Sequence, residues 1–121
     1  MGMQALVEPT IQRWFAPGRV QSDAANRVRS MIAGTPFDGF VRAARALQDF
    51  DLRASLAAFP VPVLTLAGSE DGGTPRAMRA FSQQIPQAEF VLIEGAGHLP
   101  NIDRADEFNQ QLSRHLERVA A

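Results

Sequence analysis

Pro62-Val63-Leu64-Thr65-Leu66-Ala67-Gly68-Ser69-Glu70-Asp71 and Glu89-Phe90-Val91-Leu92-Ile93-Glu94-Gly95-Ala96-Gly97-His98 are apolar runs that end at glycine turns. The first delivers an Asp at its carboxyl end, and the second delivers a His 27 positions later. The run Val63–Ala67 is apolar except for Thr65, as expected of a strand buried on both faces. In open α/β sheets, chemistry sits at the carboxyl ends of the strands. An Asp that orients a His is two-thirds of a nucleophile–base–acid triad.

Between the two runs, Thr74 and Pro75 read as an N-cap followed by proline, opening a helix that buries Met78, Phe81 and Ile85. Gln87-Ala88 links this helix to the second strand, Glu89–Ile93. Strand, helix and strand with short links form a crossover, hence a parallel pair. A last helix begins near Asp103 and carries Phe108, Leu112, Leu116 and Val119 on one face. Upstream, Phe59-Pro60-Val61-Pro62 fixes an extended entry into the first strand.

Residues 1–58 hold no strand candidate. One helix spans about Ala5 to Phe15, with Pro9 starting or kinking it, and another runs from Ser22 to Ile32 with Gly34 as its C′ residue. In a third, Thr35 reads as N-cap and Pro36 as the first helical residue, with an apolar stripe of Phe37, Phe40, Val41, Ala44 and Leu47. A short helical turn covers Leu52 to Ala58. The division is therefore a helical segment over 1–58 and a strand-helix-strand-helix unit over 59–121. Parallel sheets are covered on both faces and contain about five strands, so two strands leave the first short of a neighbour.

Composition narrows the function classes. The 121 residues suit one domain, with a net charge of −1 and scattered Arg as the basic residues, which is no footprint for nucleic acid. With no Cys there are no disulfides, no thiolate metal sites and no Cys nucleophile, and two His give no zinc spacing. No run approaches the ~20 apolar residues of a membrane span, and the start Met1-Gly2-Met3-Gln4-Ala5-Leu6 lacks the marks of a signal peptide. A cytoplasmic protein with no membrane partner and no cofactor is the expectation.

Asp71 alone would read as a turn residue, and His98 alone as a loop histidine. Their delivery to one sheet edge makes them the candidate acid and base. His115, mid-helix and without an indicated partner, reads as structural or solvent-facing. A nucleophile elbow needs Gly-x-Ser-x-Gly, and the only glycines so spaced, Gly68 and Gly72, flank Glu70. The Ser69–Thr74 stretch is no phosphotransferase loop, because Ser69 stands where its Asp would be and the chain has no lysine. Gly95-Ala96-Gly97 is too short for a dinucleotide fingerprint.

Residues 59–119 resemble the carboxyl-terminal part of the α/β-hydrolase fold. Pro62–Ala67 with Gly68-x-x-Asp71 is similar to its acid strand, and Gly95-Ala96-Gly97-His98 to its His loop, continued by Leu99-Pro100-Asn101-Ile102-Asp103 and Phe108. Residues 1–58 resemble the helical cap (lid) of lactonase-like and esterase-like members. Trp14-Phe15 and Phe50-Asp51-Leu52 look like cap segments of the 3-oxoadipate enol-lactonase group. The resemblance implies that Asp71 is the triad acid and His98 the base. It also implies that the Ser and the oxyanion hole come from an amino-terminal half absent from this sequence. Where family members often carry a carboxylate or small apolar residue after the Asp, this chain has Gly72-Gly73.

Three functional readings follow. The chain is part of a serine-type hydrolase of a small ester or lactone, active only with an amino-terminal half. Alternatively it is a non-catalytic remnant that pairs with itself or a partner through an open sheet edge. The third reading is a truncated product with no independent role.

Overall fold

The computed structural model describes residues 2–121. A 3-10 turn over Met3–Leu6 runs into helix α1, Val7–Trp14, and helix α2 follows at Asp23–Gly34. Val7, Ile11 and Phe15 lie four residues apart on one face and meet Ala24, Ala25, Val28 and Ile32 of α2 in the principal buried cluster. Burial of each large side chain there contributes roughly 1.5–3 kcal/mol. Leu99 and Ile102, from beyond the second strand, pack against the same cluster and join it to the carboxyl-terminal unit.

Pro9 sits in the first turn of α1, where the missing N–H has no intrahelical partner to lose. The Ser22 hydroxyl caps α2 by accepting from Ala25 N–H at 3.1 Å. Two expected caps are not observed. Gly34 is the last residue of α2, without a left-handed backbone, and the Thr35 hydroxyl donates back to Met31 O at 2.8 Å. Helix α3, Phe37–Gln48, therefore starts behind Pro36 with no side-chain cap.

The apolar stripe of α3 is present, but Phe37, Phe40 and Leu47 are exposed. Periodicity reports which face is apolar and not whether a partner covers it. A 3-10 turn over Arg53–Ala58 then leads to strand β1, Val63–Gly68. Helix α4, Thr74–Gln84, crosses to strand β2, Ala88–Ile93, and the strands pair in parallel from Val63↔Ala88 to Gly68↔Ile93. Gly73, one residue earlier than expected, is the N-cap of α4. Ile85 is buried at the helix end, while Met78 and Phe81 are half-buried, and the Arg79 guanidinium lies over the Phe90 ring at 4.6 Å.

The α/β class and the parallel pair are as expected, but the double-sided burial of β1 is not. Thr65, Ala67 and Gly68 are buried, whereas Val63, Leu64 and Leu66 are only half-covered. The sheet has the order β1-β2, so among the described residues no strand pairs with the far edge of β1. The expected last helix is α6, Ala105–Ala120; the sequence carried no sign of the one-turn helix α5, Pro100–Asp103, set off from it where Arg104 breaks the turn with an extended φ of −134°. Leu112, Leu116 and Val119 of α6 are exposed.

Candidate active site at the carboxyl ends of the strands

Two loops leave the same end of the parallel pair, because the register brings Gly68 level with Ile93. Beyond β1 the chain turns tightly, with Asp71 N–H donating to Gly68 O at 3.2 Å and Thr74 N–H to Asp71 O at 3.0 Å. The loops are also tied to each other. Ser69 N–H donates to Ile93 O at 3.0 Å, Glu70 N–H to Ala96 O at 2.9 Å, and Gly95 N–H to the Ser69 hydroxyl at 2.8 Å. A Cβ at Gly68 would overlap the carbonyl oxygens of Ala96 and Gly97, so only glycine allows this approach.

The structure brings the two expected residues together. Asp71 Oδ2 lies 2.9 Å from His98 Nδ1, the length of a charge-assisted hydrogen bond. The carboxylate is largely shielded, with 12% of its side chain exposed, whereas the imidazole is 44% exposed. With the carboxylate ionised, Nδ1 carries the proton and donates, which leaves Nε2 as the basic nitrogen. Nε2 has no hydrogen-bond partner among the described residues.

Three residues that the sequence did not mark as functional hold the His loop. Trp14 O accepts the His98 backbone N–H at 2.7 Å, and the indole stacks on the imidazole with ring centroids 5.3 Å apart and planes at 26°. The buried Asp103 carboxylate accepts Gly97 N–H at 3.2 Å and Arg19 Nε–H at 2.7 Å. Arg19 also donates to the Asp103 carbonyl at 2.9 Å. Trp14 and Asp103 stood inside stretches that carried the family resemblance, but Arg19 left no signal, since its partner lies 84 residues away.

His115 is elsewhere. It is buried on α6, with Nδ1 at 3.1 Å from the Arg118 guanidinium. Ser69, the serine nearest the acid in sequence, has its hydroxyl engaged by Gly95 N–H. An open cavity of 730 Å³ beside α4 is lined by Phe50, Leu52, Leu56, Met78 and Phe81 among others, and neither Asp71 nor His98 lines it. Among the described residues no group of His, Asp and Glu is placed to hold a metal ion, and no helix is long and apolar enough to cross a membrane.

Known proteins resemble this chain over nearly its whole length. The chain is 32% identical over 120 residues to 3-oxoadipate enol-lactonase 1 of Acinetobacter baylyi, covering 98% of this chain and 45% of that protein. It superposes on a thermophilic esterase from Thermogutta terrifontis with a TM-score of 0.90 at 29% identity, covering 97% of this chain and 44% of the other. The enol-lactonase of Burkholderia xenovorans gives a TM-score of 0.88 at 28% identity, with 95% and 45% covered. The chain thus spans less than half the length of the relatives it matches. Residues 2–111 match the alpha/beta hydrolase family, and the chain belongs to it.

Proposed function

We propose that this chain supplies the acid and base of a serine-type hydrolase acting on an ester or lactone of a small carboxylic acid. The observation that carries the reading is the 2.9 Å pairing of Asp71 with His98 at the carboxyl ends of two parallel strands. In this mechanism His98 Nε2 takes the proton of a serine hydroxyl as it attacks the carbonyl, then returns it to the leaving oxygen. Asp71 keeps the imidazole in the Nδ1–H tautomer and stabilises the imidazolium. The similarity to an enol-lactonase and to an esterase solved with malate bound supports the substrate class.

The nucleophile and the oxyanion donors lie outside this sequence, which has no Gly-x-Ser-x-Gly. In the proposed division, residues 1–58 are the cap and 59–121 belong to the hydrolase core. The chain alone is then inactive, since losing even one oxyanion donor costs ~10²–10³ in rate. Purified chain assayed on a short-chain p-nitrophenyl ester should give no turnover above buffer. Joined to the nucleophile-bearing amino-terminal segment of a relative, it should gain turnover that a fluorophosphonate abolishes and Asp71→Asn or His98→Gln removes. Fluorophosphonate-sensitive turnover by the chain alone would place a nucleophile within it and overturn the reading.

The unpaired edge of β1 favours a second property on the same chain. It offers free N–H and C=O groups beside half-covered Val63, Leu64 and Leu66, a template for another strand. The proposed occupant is the amino-terminal half, with self-association in its absence.

A further inference from the structure

The hydrogen bond to Asp71 does not by itself fix the imidazole of His98. The ring is 44% exposed, so apart from that bond only a surface lying against its face restricts rotation about the Cβ–Cγ bond. Trp14, the last residue of α1, supplies that surface, with its indole centroid 5.3 Å from the imidazole centroid. Carbonyl groups in the last turn of a helix lack intrahelical partners, and Trp14 O uses its free position to accept His98 N–H at 2.7 Å. A Cβ at Gly97 would overlap that same oxygen, so the loop lies on the helix end as closely as a backbone can. The indole face confines the imidazole to one plane. Of the two ring flips in that plane, one puts Nδ1 on Asp71 and the other puts a carbon there.

We infer that Trp14 is a positioning residue for His98, its indole face and helix-end carbonyl together holding the imidazole with Nδ1 on Asp71 and Nε2 free. The inference rests on the reading of His98 as the base. It also gives the helical segment a role in the chemistry, because α1 sets the plane of a side chain on the His loop.

Ring-nitrogen NMR of the chain tests this without any need for turnover. With two histidines and one tryptophan, His98→Gln assigns the spectrum, and His115 serves as internal reference. At a pH where the ring is neutral, His98 should show the Nδ1–H tautomer, with its ring C–H protons shifted upfield by the indole. Trp14→Leu should abolish the upfield shift and move His98 toward the Nε2–H tautomer that free histidine prefers. Trp14→Phe should keep the tautomer, and the His115 resonances should stay in place in both variants.

An unchanged His98 tautomer in Trp14→Leu, with Asp71→Asn still changing it, would overturn the inference and leave the acid–base reading intact. A tautomer insensitive to Asp71→Asn would instead sink the pairing itself. If Trp14→Leu does not fold, wild type and Trp14→Phe decide. Wild-type ring protons at random-coil positions, or a folded Trp14→Phe that loses the tautomer, would each overturn it.

Discussion

Replacing Asp103 by Asn tests how the His loop is held, because the two carboxylate oxygens serve two donors that an amide cannot serve together. Oδ1 accepts Arg19 Nε–H at 2.7 Å, and Oδ2 accepts the buried Gly97 N–H at 3.2 Å. Asparagine has one acceptor oxygen, so its NH₂ must face either the guanidinium or the Gly97 N–H, donor against donor. Leaving one buried donor unsatisfied costs about 1–3 kcal/mol. The lost charge attraction adds to this cost because the Asp103 side chain is only 1% exposed, although water screens part of it through the 35% exposed Arg19 side chain. A net loss of about 2 kcal/mol lowers Tm by about 8 °C, taking roughly 4 °C per kcal/mol for a domain of this size. Thermal unfolding followed by far-UV circular dichroism would measure it for Asp103→Asn, Arg19→Met and the double variant. The three should be non-additive, with a coupling of about 1 kcal/mol, because removing either partner already breaks the contact. An Asp103→Asn variant within about 0.5 kcal/mol of wild type, or strict additivity with Arg19→Met, would refute the reasoning.

Further outcomes follow from other parts of the molecule. Ile11→Ala, at a fully buried position in the helical cluster, should cost about 2–5 kcal/mol by denaturant titration, whereas Leu47→Ala on the exposed stripe of α3 should stay within about 0.5 kcal/mol. Leu64→Lys should reduce the self-association of the chain in sedimentation at several concentrations, provided circular dichroism shows the fold retained; association unchanged by the charge would exclude the β1 edge as the contact. Asp51 should titrate at about 2 by carboxyl NMR, held down first by the Arg53 side chain and then by the Arg53 backbone N–H. Its folded pKa lies below the unfolded value of ~3.9, so the stabilisation is present above that value and fades as the pH falls toward the folded pKa. Arg53→Gln should return the Asp51 titration toward the ordinary carboxylate range, and an unmoved midpoint would exclude the pairing.

Local pattern carried the features whose causes are local. The apolar runs ending in glycine turns placed β1 and β2, and Pro75 placed the start of α4 to within a residue. Short links between them required parallel strands, and parallel strands carried Asp71 and His98 to one edge. Each of these steps depends on backbone preferences and side-chain period within about a dozen residues, which a sequence displays directly.

What lay beyond the sequence depends on which distant surfaces meet. The stripe of α3 has the period of a buried face, yet nothing in that period says that Phe37, Phe40 and Leu47 stay uncovered in this chain. The one-turn helix α5 that precedes Arg104 left no mark in the sequence; it ends at Asp103, whose carboxylate is committed to Arg19 and Gly97. Trp14 and Arg19 stand in a helical segment 84 residues away from their partners on the His loop, and no spacing rule links positions so far apart. Only folding, which sets α1 against the turn after β2, gave Asp71 and His98 the surroundings that hold them. The sequence contains the acid and the base because residue type and strand ends are local properties. The plane and grip of the imidazole are tertiary, because they come from backbone groups and an indole that approach only when the chain closes on itself.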